Sequence, residues 1–230
     1  MIKIIRLIIP KIFFIDIFNV ILNKIFISRI KYENNFYNRV AFINKAISKY
    51  KNCKYLEIGV ADNYVFNSIP LKTNNKFGVD PNEGGNLRMT SDLFFKKYHH
   101  LKFDVIFIDG YHSYQQVQRD VLNSIKQLKK NGIIFIHDML PRNYLEEKYP
   151  RPKNQHVWMG DVWKVGVELN NCKNKLFKII NIDCGIGILK VRKNFKYNKM
   201  PVLKKMGFKE FMKFYKKMPL INSKEALHII

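Results

Sequence analysis

Apolar positions along the 230 residues change period several times, and each change marks an element. Over residues 33–50, Phe36, Val40, Ile43 and Ile47 recur at the spacing of one helical face. Residues 55–58 are a short strand-like run that closes on a glycine turn at Gly59. After another helical stretch, "KFGVD" (76–80) reads as a second strand ending on Asp80. "NLRMTSD" (86–92) reads as a third, with Ser91 or Asp92 capping a helix over "LFFKKY". "FDVIFID" (103–109) is a nearly continuous apolar run bounded by charge. Val117, Val121, Ile125 and Leu128 then mark a helical face stopped by Asn131–Gly132, and "GIIFIHD" (132–138) is apolar again. Strand and helix at this cadence predict βαβ units and a parallel sheet covered on both faces.

Residues 139–160 lack periodicity and are rich in Pro, Asn and charge, the composition of a long functional lid. "DVWKVGVELN" resumes helix, with Asp161 as its expected cap. Trp163 reads as a core residue, and Lys164 as a residue that could steer an acidic substrate. "LFKIINID" and "GIGILKVRK" read as an antiparallel pair joined at Cys184–Gly185, closing a mostly parallel sheet of seven strands. In the tail, Phe208, Phe211, Met212 and Tyr215 form one helical stripe, a docking surface. The chain divides into an apolar and basic segment 1–32, one α/β domain 33–195, and a basic helical extension 196–230.

Charge widens the choice of partners. There are 41 basic and 18 acidic residues, a net +23, and from Lys190 onward twelve basic residues face only Glu210 and Glu225. Such an excess fits nucleic acid or an anionic membrane leaflet, and equally an AT-rich coding sequence that enriches Lys, Asn and Ile together. The first 26 residues are apolar but broken by Lys3, Arg6, Lys11, Asp16 and Lys24, so no stretch approaches the roughly 20 residues that span a bilayer. An interfacial amphipathic helix fits this stretch. So does a helix packed on the domain or on a second subunit of a homo-oligomer. Cys53, Cys172 and Cys184 are scattered, as reduced thiols in a cytoplasmic protein are.

In an open parallel sheet, ligands bind beyond the carboxyl ends of the strands. Here those ends carry Glu57 and Gly59, then Asp80, Ser91 with Asp92, Asp109, and His137 with Asp138. One acid at a strand end is ordinary turn chemistry; five strands delivering polar groups to one edge point to a site. No G-x-G-x-x-G and no P-loop follows the first strand. An acid 23 residues after Glu57 suits the two hydroxyls of a ribose, so Glu57, Gly59 and Asp80 fit an adenosine ligand without phosphates.

Seven segments, "YLEIGV", "FGVDP", "SDLFF", "FDVIFIDGYHSYQQVQRDV", "LKKNGIIFIHDMLP", "GDVWK" and "IDCGIGI", give the span from about 50 to 195 a family likeness. It resembles class I S-adenosylmethionine-dependent methyltransferases of Rossmann-like fold. More narrowly, it is similar to bacterial small-molecule O-methyltransferases associated with sugar and polysaccharide modification. The resemblance implies that Glu57 and Gly59 lie against the methionine portion of S-adenosylmethionine, Asp80 on the ribose, and Ser91 with Asp92 on the adenine edge. It places Asp109 at the cofactor and at a Mg2+ site with Asp138, where His137 replaces an acid of some relatives. Many members carry a glycine near position 63, where this chain has Asn63, a residue that tolerates a left-handed backbone.

His112 has two readings. Ser113 and Gln116 form an S-x-x-Q capping box, which makes "IDGYHSY" a tight turn and nothing more. The same cap sets His112 just before a helix start, whose positive end lowers an imidazole pKa and favours the neutral form of a general base. The resemblance adds weight to the second reading, with His112 and Asp109 as catalytic residues and a sugar hydroxyl as acceptor. Two alternatives stand beside it: a basic protein that binds nucleic acid or a membrane surface, and a non-catalytic module that only holds the cofactor. No N-P-P-Y-type sequence supports methylation of nucleic-acid bases.

Overall fold

Successive residues of a strand face opposite sides of its sheet, so a strand covered on both sides reads as an unbroken apolar run. β1 (Tyr55–Ile58), β4 (Phe103–Ile108) and β5 (Leu128–Ile136) are such strands in the computed structural model, which describes residues 30–34, 36–153 and 155–230. Leu56, Ile58, Ile106, Ile108, Ile134 and Ile136 join one buried cluster; Tyr55, Val105, Phe107, Ile133 and Phe135 join the other. The first cluster lies under α3 (Ser91–Lys97), α4 (Tyr114–Gln127), α6 (Trp163–Asn171) and α7 (Phe208–Tyr215), and the short α5 (Tyr144–Glu147) meets it through Tyr144. The second lies under α1 (Arg39–Ile47), α2 (Tyr64–Asn67) and α8 (Ser223–Ile229).

β2 (Lys76–Asp80), β3 (Leu87–Arg88), β6 (Lys173–Ile180), β7 (Ile186–Lys196) and β8 (Leu220–Ile221) complete one sheet, ordered β3-β2-β1-β4-β5-β7-β6-β8. β1 to β5 run parallel, and β7 is antiparallel to both β5 and β6. This is the Rossmann-like methyltransferase arrangement. It contains one strand more than the seven expected. β8 pairs over two residues with the end of β6, too short a run for any period to show.

Several boundaries differ from the sequence expectations. α1 starts at Arg39, capped by the Asn38 side chain, which accepts from the Val40 N–H at 3.0 Å; Phe36 precedes the helix and is exposed. Thr90, not Ser91 or Asp92, caps α3 by accepting from the Leu93 N–H. α4 ends at Gln127, four residues before Asn131, because Leu128 is already extended and pairs with Phe103. Asp161 does not cap α6; its Oδ1 accepts from the Tyr114 N–H at 2.6 Å, at the start of α4. Lys164 is buried, with Nζ 2.9 Å from Asp161 Oδ2. The expectation of an amphipathic N-terminal helix falls outside the described residues. Among those residues, no helix is long and apolar enough to cross a membrane.

Trp163 is fully buried, as expected, and α7 docks on it through Phe211, ring centroids 5.2 Å apart. Burying a side chain of that size contributes about 1.5–3 kcal/mol. Beside it, the buried carboxylate of Glu168 accepts from the hydroxyls of Tyr114 and Tyr197, each at 2.6 Å, from Gln118 Nε2 at 2.7 Å and from the Met200 N–H. One acid thereby ties α4, α6 and the chain after β7 together.

Candidate active site

The order β3-β2-β1-β4-β5 changes direction between β1 and β4, and there the chain leaves both strands on their carboxyl ends. Gly59 sits at that point with φ +82°; a Cβ there would lie 2.2 Å from the Asp109 carbonyl oxygen and 2.4 Å from Gly110 Cα. Only glycine lets the two strand ends approach this closely. Glu57, two residues back, is buried and accepts from the Tyr55 hydroxyl at 2.7 Å. Burial pushes its carboxyl up to about 8; the Tyr55 hydroxyl pulls it down and Asp109 adds to the rise.

From this point a cleft of about 470 Å³ runs over β2 and α3, lined among others by Gly59, Asp80, Ser91, Asp92, Asp109 and His112. Asp80 Oδ2 accepts from the N–H groups of Val60 (3.0 Å) and Ala61 (3.2 Å), and Oδ1 from those of Asn82 (2.8 Å) and Glu83 (3.0 Å). Burial raises its pKa, but those four bonds outweigh it and the net shift is downward. Asp80 is thus an ionised clamp between two loops as well as a candidate ribose partner. Asn63 takes the left-handed conformation (φ 64°), and its Oδ1 accepts from the Gly85 N–H at 2.7 Å, a bond glycine cannot make. Gln116 does not return to the Ser113 N–H as a full capping box requires. Ser113 does cap α4, but the Gln116 amide donates to Ser91 Oγ and Asp120 Oδ1, each at 3.1 Å. Asp120 is buried and lines the same cleft. Burial pushes its carboxyl up to about 6, partly offset by Ser91 and Gln116.

A second cleft, of about 380 Å³, shares Gly59, Ala61, Asp109 and His112 with the first and adds Arg39, Glu57, His137, Asp138, Trp158 and Asp183. His112 Nδ1 lies 2.9 Å from the Trp158 carbonyl and 3.0 Å from Asp138 Oδ2; Nε2 lies 3.7 Å from Asp109 Oδ1. A carbonyl only accepts, so Nδ1 carries the proton. Desolvation lowers the pKa of this ring, but Asp138 and then Asp109 more than reverse it, to about 9. The expected lowering by the helix start is therefore overturned: two carboxylates within 4 Å outweigh the partial charge of a helix end. The same histidines hold Asp138 well below the usual carboxylate range in spite of its burial.

His137 Nδ1 lies 3.1 Å from Asp109 Oδ1 and 3.2 Å from Asp138 Oδ1, while Arg39 Nη1 approaches Nε2 at 3.2 Å. Arg39 also holds Asp183, Nη1 to Oδ1 at 2.7 Å and backbone N–H to Oδ2 at 3.0 Å. Burial lowers the pKa of His137, and Asp109 and Asp138 raise it by more. A charged ring has a proton on Nδ1. A neutral ring accepting from Arg39 at Nε2 also has one there. In either state Nδ1 has no lone pair for a metal.

That bears on a divalent cation. Asp109, His137 and Asp138 lie close enough to share one, as do His137, Asp183 and Cys184. The second set fits poorly, since burial pushes the Cys184 thiol up to about 11 and Arg39 faces His137 Nε2. In the first, Asp138 Oδ2 is buried and shares the His112 Nδ1 proton with the Trp158 carbonyl, and Asp109 opens to the cleft. Two carboxylates, with water and substrate completing the shell, suit magnesium, and His137 then only orients Asp109.

The lid closes over His112. The Trp158 ring stacks on the imidazole, centroids 5.0 Å apart and planes 20° from parallel, and Tyr149 stacks on Trp158 at 6.3 Å. The Tyr149 hydroxyl donates to that of Tyr111 at 2.8 Å. Gly160 (φ +61°) passes so close that a Cβ would lie 1.8 Å from the His112 carbonyl oxygen.

All nine residues singled out in the sequence line one or other of these confluent clefts. Arg39, Asp120, Asp183 and Trp158 join them without having been singled out. Asp183 falls inside "IDCGIGI", where it passes for a turn residue; Trp158 falls inside the lid; Arg39 and Asp120 leave no trace among the surrounding polar residues.

Residues 63–139, from the turn after β1 to just past Asp138, match the family described as "Methyltransferase domain". No curated protein sequence matches the chain. Among solved structures, a Corynebacterium glutamicum protein is 11% identical over 66% of this chain and 79% of its own, with a TM-score of 0.48. A candidate caffeoyl-CoA O-methyltransferase from Staphylococcus aureus is 17% identical over 82% and 95%, at 0.46. The MycE methyltransferase of mycinamycin biosynthesis, in complex with Mg, SAH and mycinamycin VI, is 14% identical over 66% of this chain and 48% of its own, at 0.38. By its strand order this chain has the Rossmann-like methyltransferase fold, and the segment that matches the family spans the ends of β2, β4 and β5.

Proposed function

We propose that the protein is an S-adenosylmethionine-dependent methyltransferase acting on a hydroxyl of a small molecule, a sugar or glycoconjugate. The observation that carries this reading is the confluence of two clefts at Gly59, Asp109 and His112, one suited to an adenosine ligand and the other roofed by the lid. Bound S-adenosylmethionine would supply the electrophilic methyl group, and Asp109 and Asp138 would hold a magnesium ion that would supply Lewis-acid polarisation.

The chain's own residues do the rest. Glu57 and the turn at Gly59 face the methionine portion, Ser91 and Asp92 the adenine edge, and Asp80 the ribose, exchanging backbone N–H partners for hydroxyls. The aromatic face of Trp158 gives a sugar ring a surface beside His112. The acceptor proton passes to His112 Nε2 when the ring is neutral, and because the neighbouring carboxylates raise that ring to about 9, transfer should rise with pH toward that value. The same reading places the protein in the cytoplasm, with its basic tail free to approach an anionic leaflet or a second copy.

The test is thermal unfolding with S-adenosylhomocysteine, with and without magnesium. At about a hundred times its dissociation constant the ligand adds roughly 2.7 kcal/mol, and no shift at millimolar ligand would sink the proposal. Given binding, His112→Gln should abolish transfer and leave the shift intact.

A further inference from the structure

Beyond the His112–Ser113 turn lies another cleft of about 470 Å³, between the start of α4, the lid, and the turn Pro201–Lys205. Lys148, Lys164, Lys204 and Lys205 line it, with Glu147 and Asp161 as the carboxylates. Both acids are engaged. Asp161 accepts from the Tyr114 N–H and holds Lys164; Glu147 is buried and accepts from the Trp163 indole N–H at 3.0 Å. Burial also pushes the Glu147 carboxyl up to about 7, which halves its charge near neutrality.

Lys148, Lys204 and Lys205 are exposed and have no carboxylate partner among the described residues. Three lysines line one concavity, and its walls concentrate their field. The Gln115 N–H, in the first turn of α4, makes no hydrogen bond to the protein among the described residues, and Gln115 lines the same cleft. Lys204 and Lys205, without a carboxylate partner among the described residues, and Lys148, whose ammonium lies 5.5 Å over the Tyr144 ring, stand beside the start of a 14-residue helix and make a receptor for a tetrahedral oxyanion. Tyr149 connects this cleft to the transfer site: it lines the cleft, and its hydroxyl bonds Tyr111, which lines the cofactor cleft.

We propose that the cleft binds a phosphate group of the acceptor, which then reaches past the Tyr111–Tyr149 pair to His112. The attachment to an acceptor rests on the methyl-transfer reading; the anion site does not. A sugar phosphate and a phosphate-linked lipid share this chemistry.

The probe is inorganic pyrophosphate, titrated calorimetrically into the full chain at constant ionic strength. Saturable binding is expected, weakened roughly tenfold or more in the double variant Lys204→Gln/Lys205→Gln. The pair Lys193→Gln/Lys196→Gln, on exposed positions of β7, should leave it unchanged. Equal weakening in both pairs, or no saturable binding, overturns the proposal, because net charge alone would then account for the affinity. Co-sedimentation with phosphatidic-acid vesicles that only the first pair abolishes marks the lipid source; pyrophosphate binding without it marks the soluble one. Loss of S-adenosylhomocysteine binding would undo the methyl-transfer reading while leaving the pyrophosphate result standing.

Discussion

Glu168 and Asp138 are both buried carboxylates, and their surroundings are opposite. Four donors from two parts of the chain converge on Glu168, so its lone pairs are met. Asp138 has one oxygen that only shares a single imidazole proton with a backbone carbonyl, two imidazoles beside it and a cleft in front. A saturated buried acid is a fastener. An unsaturated one, kept ionised by neighbouring cations, is poised for something that arrives from outside.

The sharpest way to break this contrast is to remove each acid and compare what is lost. Glu168→Ala leaves two tyrosine hydroxyls and a backbone N–H unpaired and should cost about 3–5 kcal/mol in urea unfolding. Asp138→Asn removes the anion that keeps two imidazoles charged, so it should also cost stability, but less than Glu168→Ala, and lower transfer by roughly a hundredfold or more in single-turnover assays. If both variants lost stability equally, the distinction between fastener and site would fall.

Glu57 stands between the two, buried with a single donor. Its raised pKa means that the folded chain keeps the proton after the unfolded chain has released it. The stability this contributes is full below the ordinary glutamate value of 4.5 and is lost as pH rises toward about 8. Glu57→Gln should flatten that decline, by at most a few kcal/mol, in melts at pH about 5 and about 8.5. The smallest expected effect is at Asn63. Glycine suits its backbone conformation but forfeits the bond to Gly85, so Asn63→Gly should cost about 1 kcal/mol in the same melts.

The strands were legible because burial on both faces leaves no polar gap in them, and their carboxyl ends could be read off as an edge. The eighth strand was hidden, since two residues carry no period. The pKa of His112 was misjudged for a related reason. A helix start is visible in "HSYQQ", whereas Asp138 is 26 residues away and reaches the ring only through the β4–β5 pairing. Arg39 is hidden in the same way: the Asp183 it holds lies 144 residues on. Local chemistry shows in a sequence; chemistry assembled by the sheet shows only in its products.

The proton on His112 Nδ1 is fixed by a backbone carbonyl of the lid. No side-chain substitution can delete that oxygen. An evolving lid is therefore free to change nearly every residue while keeping the histidine's tautomer, provided the path of its chain is preserved. Insertions and deletions between Leu140 and Gly160, more than substitutions, are the changes that selection would be expected to remove.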